Sequence, residues 1–286
     1  MNGRYPLRTM VNDYERAFAF QTDVLRRTSS REQRLPWGTA FFHDGFPLRY
    51  DANMAIADRP LGTVTADDVV ATLDEAYDGF RHREVEFALA SDGDAIAMGM
   101  GEHGYAVEQM LVMALRRDAD REPDLGAVEE LEIAEMRPFT AEVTRREPWG
   151  REAGIAEMMA SFRQVLVDGV GARFFAQRVD GQLAGSCELY VDGDAAQIED
   201  VSTLVEFRGR GVARNVVLRA ADEARKAGAT FVFLFADAKD WPRTLYGRLG
   251  FDEIGHSRLF TRWPEAKPAT GGDGAPMSDA KSPAAG

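Results

Sequence analysis

The sequence predicts an α/β fold made of two related halves, and three observations support this prediction. Residues 198–227 read in order as a strand, a glycine-containing loop and an amphipathic helix. Residues 230–236 (TFVFLFA) form a continuous apolar run, which is typical of a strand covered on both faces. The second half also echoes the first, because matching residues recur 146 to 148 positions apart.

The composition is that of a globular protein and argues against several classes of function. The 286 residues are 45% hydrophobic, which suffices for one large or two ordinary domains. The net charge of −13 argues against general nucleic-acid binding, and the four scattered histidines predict no metal site. No apolar run reaches the ~18 residues of a membrane helix, and the N-terminus does not resemble a signal peptide. A single cysteine, Cys187, excludes an internal disulfide and favours a cytoplasmic protein.

Periodicity and turn signals predict the elements of the first half. The pattern predicts a helix from Asn12, short strands within 36–58, a helix from Thr65 to about Tyr77, a strand at 83–90, a short helix, and a strand at 107–115.

Residues 116–130 are charged and contain Pro123 and Gly126, so we interpret them as a linker. The predicted division is a first domain at 1–120, a linker at 121–130, a second domain at 131–264 and a disordered tail at 265–286. The second domain is predicted to contain a strand at 131–136 ended by Pro138, a helix at 149–167, a hairpin at 173–191, a central strand and helix, a helix at 240–249 and a strand at 251–263.

The loop Arg208-Gly209-Arg210-Gly211 is a candidate anion site. The first N–H groups of the following helix have no partner within the helix and carry partial positive charge. Glycines allow a phosphate to approach these groups, and Arg208, Arg210 and Arg214 add cationic side chains. The nucleotide-hydrolase and dinucleotide-fold phosphate loops are both excluded, since neither motif is present.

The internal repeat is informative at the positions where the first half does not match the second. Gly104 matches Gly250, and Val69-Val70 matches Val216-Val217. Opposite the arginine–glycine loop, however, the first half has only residues 60–63 (PLGT), and opposite Tyr246 it has Met100. We interpret the first half as a degenerate copy without chemistry, retained for packing or for shaping a substrate groove.

Two motifs carry a resemblance to a known family. Residues 208–213 read Arg-x-x-Gly-x-Ala, and residues 245–251 read Leu-Tyr-x-x-Leu-Gly-Phe. Over roughly 131–263 the chain resembles the GNAT (Gcn5-related) N-acetyltransferases, in a tandem form with a degenerate first copy. The resemblance implies two GNAT-like domains, each a twisted mixed β-sheet flanked by helices. It also implies that two central strands splay apart and admit acetyl-coenzyme A.

The resemblance also implies roles for individual residues. Tyr246 would protonate the departing thiolate, although Val205 replaces a common proline, Ala213 a common second glycine and Lys239 a common asparagine. The backbone of Thr203 and Leu204 would hold the pantetheine arm, and the N–H groups of residues 208–214 would hold the diphosphate. The implied cofactor-contacting residues are Val201, Ser202, Thr203, Leu204, Arg208, Gly209, Arg210, Gly211, Val212, Ala213, Arg214, Asp237, Lys239 and Tyr246.

Amine acetylation needs a base, because the acceptor must lose a proton before it attacks. Glu199 and Asp200 are the candidates, and as neighbours on a strand they are expected to point to opposite faces. We favour Glu199. Cys187 lies within a predicted strand and is interpreted as a packing residue, and Trp37, Trp149 and Trp241 as core or cleft-wall residues.

The predicted function is a cytoplasmic, acetyl-CoA-dependent N-acetyltransferase that transfers directly within a ternary complex. The acceptor is a small-molecule or peptide amine of unspecified class, with no nucleic-acid or membrane partner and a monomeric or homodimeric state. Two alternatives stay open: a non-catalytic protein that binds or senses acyl-CoA, and a transferase that uses another acyl-CoA.

Overall fold

The computed structural model describes residues 12–239 and 242–264. Its helices are α1 (Asp13–Thr28), α2 (Ala66–Ala76), α3 (Ala90–Glu102), α4 (Ile133–Arg146), α5 (Ile155–Val170), α6 (Val212–Lys226) and α7 (Pro242–Arg248). Its strands are β1 (Arg31–Leu35), β2 (Gly38–Phe42), β3 (Ala55–Ala57), β4 (Arg83–Phe87), β5 (Ala106–Leu115), β6 (Val128–Leu131), β7 (Arg173–Val179), β8 (Gln182–Asp192), β9 (Ala195–Thr203), β10 (Phe231–Asp237) and β11 (Phe251–Arg262).

The two halves share one mixed sheet. Its described strands follow the order β1-β2-β3-β4-β11-β5-β10-β9-β8-β7-β6. The last strand of each half therefore lies inside the sheet of the other half: β5 lies between β10 and β11, and β11 lies between β4 and β5. A long antiparallel ladder joins β5 to β11, so neither half closes its own sheet.

The predicted repeat is visible as a repeated topology. The order β3-α2-β4-α3-β5 in the first half recurs as β9-α6-β10-α7-β11 in the second. The two central pairs, β3 with β4 and β9 with β10, are both parallel. The mixed α/β fold predicted from the sequence is therefore confirmed.

The helices form two layers on the sheet. α2 and α3 pack on one face around Val85 and Phe87, and α6 and α7 continue that layer around Val232 and Leu234. Side chains of α1, α4 and α5 pack on the opposite face. Alternation along β10 accordingly points Phe233 and Phe235 towards the layer that contains α1.

The region around Pro138 was predicted wrongly. Residues 128–131, mostly assigned to the linker, form β6, and the predicted strand at 131–136 gives way to α4. Met136, Phe139 and Thr140 are buried at helical spacing, while Pro138 is exposed on the other side. Burial of this stripe outweighs the one backbone hydrogen bond that proline removes.

Other boundaries shift by a few residues. The helix predicted at 149–167 begins at Ile155, after Gly154 with φ +86°. Asp240 and Trp241, at the start of the helix predicted at 240–249, lie outside the described residues, as do residues 1–11 and the tail at 265–286.

A buried histidine in the first half makes stability depend on pH. His82 is 1% exposed, stacks on Tyr50 with ring centroids 3.8 Å apart, and places Nε2 2.9 Å from the Asn53 carbonyl oxygen. Burial lowers its pKa from 6.5 to about 4, because the charged ring would lose its hydration.

Since the unfolded chain binds the His82 proton more tightly, this group favours unfolding as the pH falls from 6.5 towards 4. We expect the free energy of unfolding to drop by up to about 3 kcal/mol over this range through His82 alone. Urea titrations of the wild type and His82→Gln measure this component, which the variant lacks. Identical pH slopes for both proteins contradict it.

Candidate active site

A cavity of about 520 Å³ lies on the α1 side of the sheet and is lined by both halves. Its walls include residues of α1, α4 and α5, and its floor includes residues of β4, β5, β8, β9 and β10. Ten carboxylates and four arginines line it, so the cavity is acidic. The carboxylates are Asp51, Glu84, Glu86 and Glu108 from the first half, and Glu147, Glu152, Glu188, Glu199, Asp200 and Asp237 from the second.

The two central strands of the second half separate beside this cavity. β10 pairs with β9 at residues 195–197 and 231–233, and the pairing then stops although both strands continue. Val201 and Ser202 line the cavity on one side of the gap, and Ala236 and Asp237 on the other. The other edge of β9 is bonded to β8. The β9 edge beyond Gln197 thus offers backbone groups to a ligand in the gap.

The equivalent strands of the first half do not separate. β4 pairs with β3 along the whole of β3, and the Ala88 N–H donates to the Ala57 carbonyl oxygen at 3.0 Å. The first half therefore has no corresponding gap among its described strands.

The N-terminus of the helix that follows the first central strand also differs between the two halves. α6 begins after Gly209 (φ +74°) and Gly211 (φ +83°), and no side chain caps it. An added Cβ at either glycine would meet nothing within 4 Å, so the space beside the loop is open. In the first half, by contrast, Thr65 and Asp68 form a capping box on α2. The Asp68 carboxylate therefore occupies the N-terminal end of α2, whereas the corresponding end of α6 stays available to an anion.

The arginines of the loop have different surroundings. Arg208 lines the cavity, with Nε 3.5 Å from the Thr203 carbonyl oxygen. Arg210 is exposed and lies 3.7 Å from Asp180. The Arg214 side chain, predicted to help hold the anion, instead forms an ion pair with Asp120 in the segment that joins the halves.

The backbone N–H and carbonyl of Leu204 both have hydrogen-bond partners within the protein. Its N–H donates to the Ala184 carbonyl oxygen at 2.8 Å, and its own carbonyl accepts from the Phe207 N–H at 2.9 Å. The Leu204 N–H is therefore not available for the pantetheine contact that the resemblance predicts, and the prediction stays with Val201, Ser202 and Thr203.

A β-bulge brings both candidate bases to one cavity. The register between β8 and β9 shifts between Ser186 and Glu188, and Asp200 adopts φ +48°. The extra residue breaks the alternation of side chains, so Glu199 and Asp200 both line the cavity. The expectation that they point to opposite faces was wrong for this reason.

Asp200 belongs to a buried ionic network. Arg163, 2% exposed, forms ion pairs with both Asp200 and Glu188, and the Tyr190 hydroxyl donates to Glu188. Burial raises the pKa of Glu188, although Arg163 opposes this shift. Sequence reasoning missed Arg163, Glu188 and Tyr190, because these residues meet only when α5 packs on the sheet.

Glu199 has a different environment. It is half-buried, and the Gln197 side-chain amide donates to Oε1 at 2.6 Å. This amide orients the Glu199 carboxylate, whereas the buried Arg163 holds Asp200 in an ion pair. Asp200 is thus engaged in the buried network, and Glu199 stays the candidate base.

Tyr246 and Asp237 lie on the other side of the gap. Tyr246 is 7% exposed in α7, packs edge-on against Phe251 with centroids 6.1 Å apart, and lines the cavity. Asp237 Oδ1 accepts the Lys239 N–H at 2.8 Å, which shapes the turn after β10 while the Lys239 side chain stays exposed. Tyr246 and Asp237 thus line the same cavity as Glu199.

The remaining chemical candidates do not form a second site. Cys187 is buried, its Sγ lies 3.3 Å from the Val216 carbonyl oxygen, and burial raises its pKa well above the usual range. Trp37 is a core residue, Trp149 lines the cavity, and Trp241 lies outside the described residues. Within 12–239 and 242–264, no group of His, Cys, Asp and Glu is arranged to hold a metal ion. No helix in that part of the chain is both long and apolar enough to cross a bilayer.

Gly185 is a further residue that sequence reasoning missed. A Cβ at this position would lie 2.4 Å from the Ser202 carbonyl oxygen and 2.7 Å from Val212 Cγ1. Gly185 therefore allows β8, β9 and the start of α6 to approach each other, which positions the loop beside the gap.

Comparisons with known proteins agree with this geometry. Residues 127–251 match the model of the acetyltransferase (GNAT) family. A search of curated protein sequences finds no match. Solved structures below 25% identity share the fold.

Three of these structures cover most of the chain. The GCN5-related N-acetyltransferase from Kribbella flavida is 17% identical with a TM-score of 0.62, over 89% of this chain and 96% of that chain. A functionally unknown conserved protein from Staphylococcus epidermidis ATCC 12228 is 16% identical with a TM-score of 0.62, over 81% and 93%. A tandem GNAT protein from the clavulanic acid biosynthesis pathway is 15% identical with a TM-score of 0.50, over 79% and 78%. Residues 127–251 therefore match the GNAT acetyltransferase family, and the chain shares its mixed α/β fold with solved GNAT structures.

Proposed function

We propose that the chain transfers an acetyl group from acetyl-CoA to a primary amine by direct attack within a ternary complex. One observation carries this proposal: the gap between β9 and β10 opens from the acidic cavity and is followed by the uncapped N-terminus of α6. A thioester donor and an amine acceptor can therefore meet beside Glu199.

The residues present fit the donor. The N–H groups of Gly209, Gly211 and the first turn of α6 suit a diphosphate, with the Arg208 guanidinium beside them. The β9 edge at residues 198–203 suits the amides of a pantetheine chain, since β10 no longer pairs with it. When bound, the donor supplies an activated acyl carbon to the cavity.

The chain's own side chains supply the proton transfers. Glu199 accepts the proton that an ammonium acceptor must lose before its nitrogen can attack. Tyr246, on the opposite side of the gap, supplies a proton to the departing thiolate. Direct transfer is favoured over a covalent enzyme intermediate, because the Cys187 thiol is buried away from the cavity lining.

A thiol-release screen tests this function. Acetyl-CoA and succinyl-CoA are offered side by side with monoamines, polyamines, amino acids, aminoglycosides and peptides. We expect release of coenzyme A with acetyl-CoA that depends on an amine, and an acetylated product by mass spectrometry. Donor binding without release for any amine supports a sensing protein instead, and faster release from succinyl-CoA supports a different acyl donor.

A further inference from the structure

Gln197 carries a buried amide oxygen that the rest of the described chain does not use. Gln197 is 3% exposed and lines the cavity on the same face of β9 as Glu199, because Ile198 between them belongs to the core beneath α6. Its side-chain nitrogen donates to Glu199, while its Oε1 has no hydrogen-bond partner among residues 12–239 and 242–264. Such atoms are rare inside proteins, because a buried acceptor without a donor is costly.

The hydrogen bond to Glu199 fixes the orientation of this amide. The amide nitrogen lies 2.6 Å from Glu199 Oε1. If the amide were turned over, its oxygen would face a carboxylate, and an ionised carboxylate only accepts hydrogen bonds. The nitrogen is therefore held on Glu199, and the oxygen is presented to another group. Since an amide oxygen also only accepts, that group must be an N–H or O–H donor.

The residues beside Gln197 in the sheet do not supply this donor. Phe233 is the register partner of Gln197 on β10, and its side chain has no hydrogen-bonding group. Tyr190 is the register partner on β8, and its hydroxyl proton is donated to Glu188. A donor for the Gln197 oxygen must therefore come from the cavity that Gln197 lines.

Gln197 also lies where the gap between the central strands begins. Gln197 and Phe233 are the last residue pair that joins β9 to β10. The amide is thus next to the proposed base, Glu199, and at the start of the gap proposed for the thioester donor. An acceptor nitrogen that reacts at this point lies within reach of both side chains.

The count of protons on the reacting atom shows which acceptor suits this oxygen. A primary ammonium carries three protons on nitrogen. One leaves through Glu199 before the nitrogen attacks, and a second leaves as the C–N bond forms and the C–S bond breaks, which balances the proton that Tyr246 gives to the thiolate. The third proton stays on the amide product. A secondary ammonium has only the two protons that it must lose, and an alcohol only one.

We propose that Gln197 selects a primary amine as the acceptor, by accepting a hydrogen bond from the one N–H that the reacting nitrogen keeps. A secondary amine or an alcohol leaves this buried oxygen without a donor when the bond to the acyl carbon has formed. The inference rests on the proposed acetyl transfer. It assigns the preference for primary amines to one side chain, which contacts the acceptor directly.

The test compares primary amines with their N-methyl derivatives. Coenzyme A release from acetyl-CoA is measured for phenethylamine and N-methylphenethylamine, butylamine and N-methylbutylamine, and glycine and sarcosine. We expect kcat/KM to be at least about tenfold higher for the primary member of each pair that reacts, because an unpaired buried acceptor weakens the transition state by that much.

Two variants separate the amide oxygen from the amide nitrogen. Gln197→Met has nearly the same length and volume but no polar atom, so the ratio of kcat/KM for the primary and N-methyl amines should fall by about tenfold. Gln197→Glu keeps an acceptor oxygen, so the ratio should persist while both rates fall, because two adjacent carboxylates disturb the base. Glu75→Gln, on the exposed side of α2, should match the wild type.

A measurement on the wild type needs no variant at position 197. N-phenethylacetamide has one amide N–H, and its N-methyl derivative has none. We expect the first to inhibit acetyl transfer at a concentration about tenfold lower than the second. Circular dichroism checks that Gln197→Met is folded, and the inhibition experiment decides the question if it is not.

The outcomes separate the two proposals. Equal kcat/KM for primary and N-methyl amines, or equal inhibition by the two acetamides, overturns the role of Gln197 while acetyl transfer stands. A parallel fall for both amines in folded Gln197→Met shows that Gln197 only orients Glu199, and this also overturns the inference. Absence of release with every amine overturns acetyl transfer, and the assignment of Gln197 with it.

Discussion

Replacing Glu199 with glutamine is expected to lower kcat for acetyl transfer by about 10²- to 10⁴-fold. Glutamine keeps the shape of the side chain but cannot take the proton from an ammonium acceptor. The acceptor amine then reacts only in the fraction that is already neutral. Since an alkylamine has a pKa of about 10, activity of the variant should rise steeply between neutral pH and pH ~10. Steady-state thiol release across this range measures both effects.

The control for this prediction is the surface variant Glu75→Gln, which should keep the wild-type rate and pH profile. Asp200 makes a poor control, because its carboxylate is bound by the buried Arg163 and its loss would disturb the network. Wild-type kcat in Glu199→Gln, with an unaltered pH profile, would show that another group or a water chain accepts the proton.

Replacing Gly211 with aspartate is expected to weaken coenzyme A binding by about 100-fold or more, because like charges ~4 Å apart repel strongly near a protein surface. Gly211 is the N-cap of α6, and its φ is +83°. Aspartate tolerates positive φ better than most residues, so the loop can keep its conformation. Its carboxylate would occupy the helix end as Asp68 does on α2. Titration calorimetry with coenzyme A measures the loss.

Gly211→Asn separates charge from shape. Asparagine has nearly the same size and the same tolerance of positive φ, but it is neutral. We expect its affinity for coenzyme A to lie much closer to that of the wild type. Equal affinities of the aspartate and asparagine variants for coenzyme A, whatever their absolute values, would show that this loop does not bind the diphosphate.

The candidate donor site was predictable because it is local. Strand β9, the loop at 208–211 and helix α6 follow one another within about thirty residues. Glycines and apolar spacing specify this sequence of conformations without help from distant segments. The Leu-Tyr-x-x-Leu-Gly-Phe motif of α7 and β11 was recognisable for the same reason.

The sequence predictions failed where contacts between residues far apart in the sequence determine the structure. Pro138 was interpreted as the end of a strand, but packing of Met136 and Phe139 against α5 keeps this segment helical. The bulge at Asp200 could not be predicted, since it depends on the register of β9 against β8. Arg163 gives no local signal, because its partners Glu188 and Asp200 lie on other elements.

By itself, the sequence determined the repeated order of strands and helices and the glycine loop before α6. Only the tertiary structure decided that β5 and β11 exchange places between the halves, and that carboxylates of both halves line one cavity. The physical reason is the distance along the sequence over which each feature is determined. Turns and helix ends follow from neighbouring residues. Strand order, register and the grouping of charges follow from which distant surfaces are buried together.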